Sequence, residues 1–221
     1  ITAGCFGIGI DHGRQIVISG NTINKIGRLI SNSDVEGFPN TSGPDVLSTG
    51  IFANNTLGCS VTGNTVTDSM STGAGFGTGI PIRQAGAGHS AASTFANNNV
   101  VVSGNNVLWN TGLGGNAEGD HGIIIQVDRG TDVATAAHSM ANVVLNNNTA
   151  RLAKIAGIRV LVGTESSLEG LTVEGNTVRE SAADGIRVES NGASACAVSR
   201  VVVSGNTVVS VSFATVPVNS A

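Results

Sequence analysis

Apolar and polar residues alternate along the chain in short runs, and one such run recurs six times. It reads IVISGNTINK from Ile16, SVTGNTVTDS from Ser60, VVVSGNNVLW from Val100, VVLNNNTARL from Val143, LTVEGNTVRE from Leu171 and VVVSGNTVVS from Val201. Aligned on Asn21, Asn64, Asn105, Asn148, Asn176 and Asn206, the positions three and five residues earlier are apolar in every copy, as is the position two residues later. Apolar residues at every second position are the signature of a strand with one buried face. Cys59 falls in the column five residues before the asparagine and is expected to be a core thiol.

A second phrase sits between the copies of the first: FGIGI, TGIFA, TGIPI, HGIII, AGIRV and DGIRV. After its glycine comes Ile8, Ile51, Ile80, Ile123, Ile158 or Ile186, and two residues further on the column is again apolar. Each repeat is therefore expected to hold two strands, G-I-x-I and V-x-V, joined by turns. Spacings between successive asparagines are 43, 41, 43, 28 and 30 residues. Uneven spacing with identical residues in register fits a solenoid, whose insertions leave through the turns while the strands stay stacked. Like-on-like columns are what parallel stacking produces. The expectation is an all-β fold, a single-stranded right-handed parallel β-helix of about six coils over 1–221. At strand spacing, six coils span roughly 29 Å.

The repeated asparagine has a structural explanation. It tolerates the left-handed conformation beside glycine. Its amide carries donors and acceptors together, so identical side chains one coil apart can bond each other and the turn. Asn21, Asn64, Asn105, Asn148, Asn176 and Asn206 are read as an internal ladder.

Composition narrows the function. Charged residues are 12% of the chain, there are 31 glycines, and six Phe and one Trp make up the aromatics. The net charge of −4 and the lack of any Lys/Arg run argue against nucleic-acid binding, which requires neutralising phosphates. Cys5, Cys59 and Cys196 form neither a disulfide framework nor a zinc motif. No apolar run approaches the roughly 20 residues of a membrane span. Because the chain opens on Ile1, it is expected to be a piece of a longer protein.

The paired G-I-x-V/I and V-x-V-S-G-N-T phrases resemble the right-handed parallel β-helix repeats of the pectin-lyase-like superfamily. That group includes pectate lyases, polygalacturonases, alginate-processing enzymes and phage tailspikes. The resemblance covers essentially the whole chain at the level of the fold. It implies an extracellular, virion-surface or cell-surface protein that binds or degrades polysaccharide, as a lyase, hydrolase or epimerase or as a tailspike or depolymerase portion, and a homo-oligomer, trimeric if of the tailspike type. No one family's catalytic motif matches residue by residue.

In such a fold the groove lies over outward positions of one strand and the turns beside it. On the G-I-x-I strand one outward column is Gly9, Phe52, Pro81, Ile124, Arg159 and Arg187; the next is Asp11, Asn54, Arg83, Gln126, Leu161 and Glu189. The insertions at 112–121 and 127–138 add Glu118, Asp120, His121, Asp128, Arg129, Asp132 and His138. Asp120, His121, Asp128 and Arg83 are the catalytic candidates. Glycoside hydrolysis needs an acid and a base or nucleophile about 5–10 Å apart. A lyase needs a base and cations that neutralise a substrate carboxylate. Asp11, Asn54, Gln126, Arg129 and Trp109 are the candidate substrate-binding residues, Trp109 being the one good stacking platform. The triplet DHG occurs at 11–13 and 120–122, but His12 and His121 are out of register, so the duplication marks no paired site. Asp128 and Asp132 offer oxygen ligands of the kind calcium takes; no other cofactor or metal is expected.

Two other classes compete. Low charge, small side chains and few aromatics suit a non-catalytic structural or adhesive solenoid of a surface or fibre protein. The row Thr22, Thr65, Asn106, Thr149, Thr177 and Thr207 suggests an ice-binding face, but the next outward column is irregular.

Overall fold

A computed structural model describes residues 6–11, 13–24, 48–67, 77–85, 97–108, 119–128, 138–153, 155–190 and 196–209. In chain order the strands are β1 (Phe6–Asp11), β2 (Arg14–Ser19), β3 (Thr22–Asn24), β4 (Ser48–Asn54), β5 (Leu57–Thr62) and β6 (Thr65–Thr67). They continue with β7 (Gly77–Ala85), β8 (Asn97–Ser103), β9 (Asn106–Leu108), β10 (Gly119–Asp128), β11 (His138–Asn146) and β12 (Thr149–Arg151). The last six are β13 (Ala156–Val162), β14 (Ser166–Glu174), β15 (Thr177–Arg179), β16 (Asp184–Ser190), β17 (Ala197–Ser204) and β18 (Thr207–Val209).

Every third strand joins the same sheet. The first sheet runs β1-β4-β7-β10-β13-β16, the second β2-β5-β8-β11-β14-β17 and the third β3-β6-β9-β12-β15-β18, all pairings being parallel. The protein is thus all-β among the described residues, with three stacked parallel sheets of six strands, an arrangement compatible with a parallel β-helix solenoid.

Registers set like on like. Ile123 pairs with Ile80 and Ile158, and Ile158 with Ile186. Val143 pairs with Val100 and Leu171. These residues, with Ile51, Val61, Val66, Val107 and Val178, form the enclosed core, except Ile186, which is partly buried and packs against it. Cys59 is buried there as expected, and burial pushes its thiol up to about 11.

Each repeat holds three strands rather than the two expected. The three-residue strands after the asparagine pair in their own sheet, for example Thr149↔Thr177 and Ala150↔Val178. Three residues are too few to display alternation, so the extra strand is visible only once its neighbours are stacked. The glycine column explains how the third sheet meets the first. A Cβ on Gly157 would lie 2.2 Å from Val178 Cγ1, and one on Gly79 would lie 2.3 Å from Val107 Cγ1. The strands approach so closely there that a methyl group does not fit.

The asparagine ladder is continuous. The main-chain N–H and the Nδ2 of Asn105 both donate to Asn148 Oδ1, at 3.0 and 2.9 Å. Asn148 Nδ2 donates to Val102 O at 2.8 Å and to Asn176 Oδ1 at 3.0 Å. The same bonds run from Asn21 through Asn64 to Asn105, and from Asn176 to Asn206. Every ladder amide from Asn64 to Asn176 therefore has both its oxygen and its nitrogen used, which is what a fully buried amide requires.

One expectation is corrected at the end of the stack. The apolar columns three and five residues before Asn206 place Val203 and Val201 in the core, but Val203 is 54% exposed where its counterpart Leu145 is fully buried. Among the described residues their strand β17 is the edge of the second sheet.

Candidate functional site

The outer faces of the three sheets differ. On the second sheet Val17, Val101, Val144 and Val202 alternate with small polar residues, and Val17 is 71% exposed. On the third, Thr22, Thr65, Asn106, Thr149, Thr177 and Thr207 stand in register as the sequence columns foretell. Among the described residues, the first sheet carries the half-buried charged side chains Arg83, Arg159 and Glu189.

There the registers place Asp11 beside Asn54, Asn54 beside Arg83, and Arg83 beside Gln126, which is followed by Leu161 and Glu189. The adjacent column runs Pro81, Ile124, Arg159 and Arg187. Outward does not mean exposed here: Ile124 is 3% and His121 6% accessible.

His121, on β10, is the hub. Arg159 Nη1 lies 3.2 Å from His121 Nε2. A guanidinium can only donate, so Nε2 accepts and the ring proton sits on Nδ1. That Nδ1 is buried and without a hydrogen-bond partner. Burial, and then the charges of Arg159 and Arg83, hold His121 down to about 4 against an ordinary 6.5, so the ring is neutral across the physiological range.

Arg159 Nε also donates to Glu189 Oε1 at 2.7 Å. The second oxygen of Glu189 pairs with Arg187 at 2.5 Å, and Arg187 reaches Asp184 at 3.1 Å. Glu189 is thus shared between two arginines on successive strands. Arg83 on β7 is different. Its Nε is buried with no partner, burial lowers its pKa, and no carboxylate among the described residues pairs with it.

Of the candidates from sequence, the structure brings Asn54, Arg83 and Gln126 into one register column, while His121 lies five residues before Gln126 on β10, against Arg159. Asp120 and Asp128 lie at opposite ends of β10, and Asp11 at the end of β1, with side chains outside the described residues. Eight residues of strand separate Asp120 from Asp128, more than about 20 Å. That is too far for two carboxylates acting together on one glycosidic bond. His12, His89, Trp109, Glu118, Arg129 and Asp132 lie outside the described residues. His138 begins β11 of the second sheet, away from the cluster.

Sequence reading put Arg159, Arg187 and Glu189 in the outward columns without assigning them a role. The signal was available: two arginines stand at one outward position of adjacent repeats, with a glutamate two residues after the second.

Among the described residues no group of three His, Cys, Asp or Glu could hold a metal ion. No helix there is long and apolar enough to cross a membrane. The fold and this face together define an all-β protein, among the described residues, of stacked parallel sheets with a charged, partly buried outer surface on the first sheet. The chain matches no protein-family model, no curated protein and no solved structure.

Proposed function

We propose that the chain is an extracellular right-handed parallel β-helix of about six coils, of pectin-lyase-like type, that binds polysaccharide along the outer face of its first sheet. Strand–crossover–strand units between parallel neighbours are right-handed in nearly all proteins, and the return of every third strand to the same sheet fits one coil per repeat. The observation that carries the binding reading is the convergence of His121, Arg159, Arg187 and Glu189 from three successive strands, with Arg83 on the next strand of the same sheet. A polymer lying across the strands would meet one repeat after another. Asn54 and Gln126, in register with Arg83, add amides suited to hydroxyl groups.

A non-catalytic role, as a structural or adhesive solenoid segment, is favoured by one observation. Both described carboxylates of the cluster, Asp184 and Glu189, are engaged by arginines. A neutral histidine held at about 4 is also a weak base at neutral pH.

Both readings are tested by incubating the protein with neutral, uronate-containing and sulfated polysaccharides. Binding is followed by calorimetry, and cleavage by reducing ends and by absorbance of unsaturated products. Binding without cleavage supports recognition alone; cleavage adds lyase or hydrolase activity. Absence of binding across the panel overturns the saccharide reading.

A further inference from the structure

We propose that the end of the stack formed by β17 and β18 is a docking edge for one extended segment of a partner protein. That segment carries the pattern apolar-x-apolar-x-Gly-Asn-x-apolar. The inference is independent of the saccharide reading and concerns a different part of the molecule.

The apolar groups at this end lack the neighbours that their counterparts have. Val201, Val203 and Val208 are 41%, 54% and 46% exposed, whereas Leu171, Val173 and Val178, their register partners one repeat earlier, are buried. Among the described residues β17 and β18 are the edges of the second and third sheets. An edge strand presents main-chain N–H and C=O groups on which another strand can pair. Main-chain bonds of that kind supply affinity, and sites for alternate side chains supply specificity.

The asparagine ladder says what the added strand must carry. In the rungs from Asn64 to Asn176, the main-chain N–H and Nδ2 both donate forward to the Oδ1 of the next asparagine, at 2.9–3.0 Å. Nδ2 also donates back to a carbonyl of the preceding repeat. Asn206 completes the backward half: its Oδ1 accepts from Asn176, and its Nδ2 donates to Val173 O at 2.8 Å. Its forward half has no acceptor among the described residues. Two donors are thus set to meet on a single oxygen, where the next Oδ1 of the ladder would lie. Val203 O, the counterpart of Val173 O, stands ready for the returning Nδ2. An apolar edge by itself would take any hydrophobic strand. This edge selects a carboxamide, because an aspartate would supply the oxygen but no donor for Val203 O.

The opposite end of the stack does not offer such a strand. Ile18 and Ile23, in the same inward columns as Val203 and Val208, are only 5% and 2% exposed. A second copy stacked end to end would bring a closed surface to an open one, so the occupant is a segment of another protein.

The test titrates the intact protein into a fluorescent peptide of the chain's own phrase, SSLEGLTVEGNTVRE (residues 166–180), and follows anisotropy. Saturable binding is expected. Asn176→Ala in the peptide removes the shared acceptor and should weaken binding at least about tenfold; Asn176→Asp in the peptide should also weaken it. Val203→Lys in the protein places a charge on the edge and should abolish binding, with far-UV circular dichroism confirming the fold. No saturable binding overturns the proposal, as do equal affinities for the native and Asn176→Ala peptides, or unchanged binding to folded V203K. If V203K fails to fold, the peptide series decides. Sedimentation of the protein alone covers the other occupant: self-association that V203K abolishes would put a second copy on this edge and overturn the partner reading.

Discussion

Arg159 donates to His121 Nε2 across 3.2 Å and so fixes which nitrogen of the ring carries the proton. The same arginine, with burial and Arg83, makes protonating that ring costly. His121 is thereby a permanent neutral donor rather than a titrating switch.

Stability should fall in mild acid for this reason. In the unfolded chain His121 binds its proton near 6.5, but in the folded chain only near 4. The unfolded state therefore binds more protons in this window, and the stability from keeping His121 neutral, full above 6.5, is lost as pH falls through 4. The loss is expected to reach about 3 kcal/mol. Urea unfolding at stepped pH should show the slope, and His121→Gln should flatten it between those limits.

The ladder predicts a position-dependent cost. Asn148→Ala removes the acceptor of Asn105 N–H and Nδ2 and the donor to Val102 O, all inside the core. With each orphaned group costing about 1–3 kcal/mol, the variant should lose at least about 3 kcal/mol in urea unfolding. Asn206→Ala strands partners that are only part-buried, where water can replace the bonds, and should cost clearly less. Equal costs at the two positions would contradict the ladder.

Close approach of the first and third sheets should appear in a double-mutant cycle. Gly157→Ala sets a methyl group against Val178 Cγ1 and near Gly185 O, and overpacking of this kind costs about 1–3 kcal/mol. Adding Val178→Ala opens the space, so the double variant should lose less than the two single changes added together. Thermal unfolding of the four proteins gives the coupling.

A second backbone column offers a stabilising change. Six residues before each ladder asparagine the backbone is left-handed: Gln15, Gly58, Asn99, Asn142, Gly170 and Arg200 all have positive φ. Glycine and asparagine accept this conformation, whereas Gln15 at φ 50° holds it at a cost. Gln15→Gly should therefore raise the unfolding midpoint, by about 1 kcal/mol in stability. Gly58→Ala, at φ 76°, should lower it.

This column shows where sequence reading reached its limit. Gln, Gly, Asn and Arg share no side-chain chemistry, so nothing in their identities announces that the backbone turns the same way at all six. The third strand was hidden similarly, being too short for its alternation to register.

What the sequence determined by itself is the stack. Identical residues at fixed offsets require parallel strands in register, because only that pairing sets like beside like through six repeats. The ladder asparagines and the isoleucine column followed from this alone, and so did the place of Arg83 between Asn54 and Gln126. Tertiary structure decided which outward positions matter. Register tells which side a residue faces but not how far it is open to water, and on the first sheet Asn54, Ile124 and Leu161 are closed while Arg187 stays open. Burial is what neutralises His121, isolates Arg83 and turns Arg159 and Glu189 from two polar surface positions into a fixed pair.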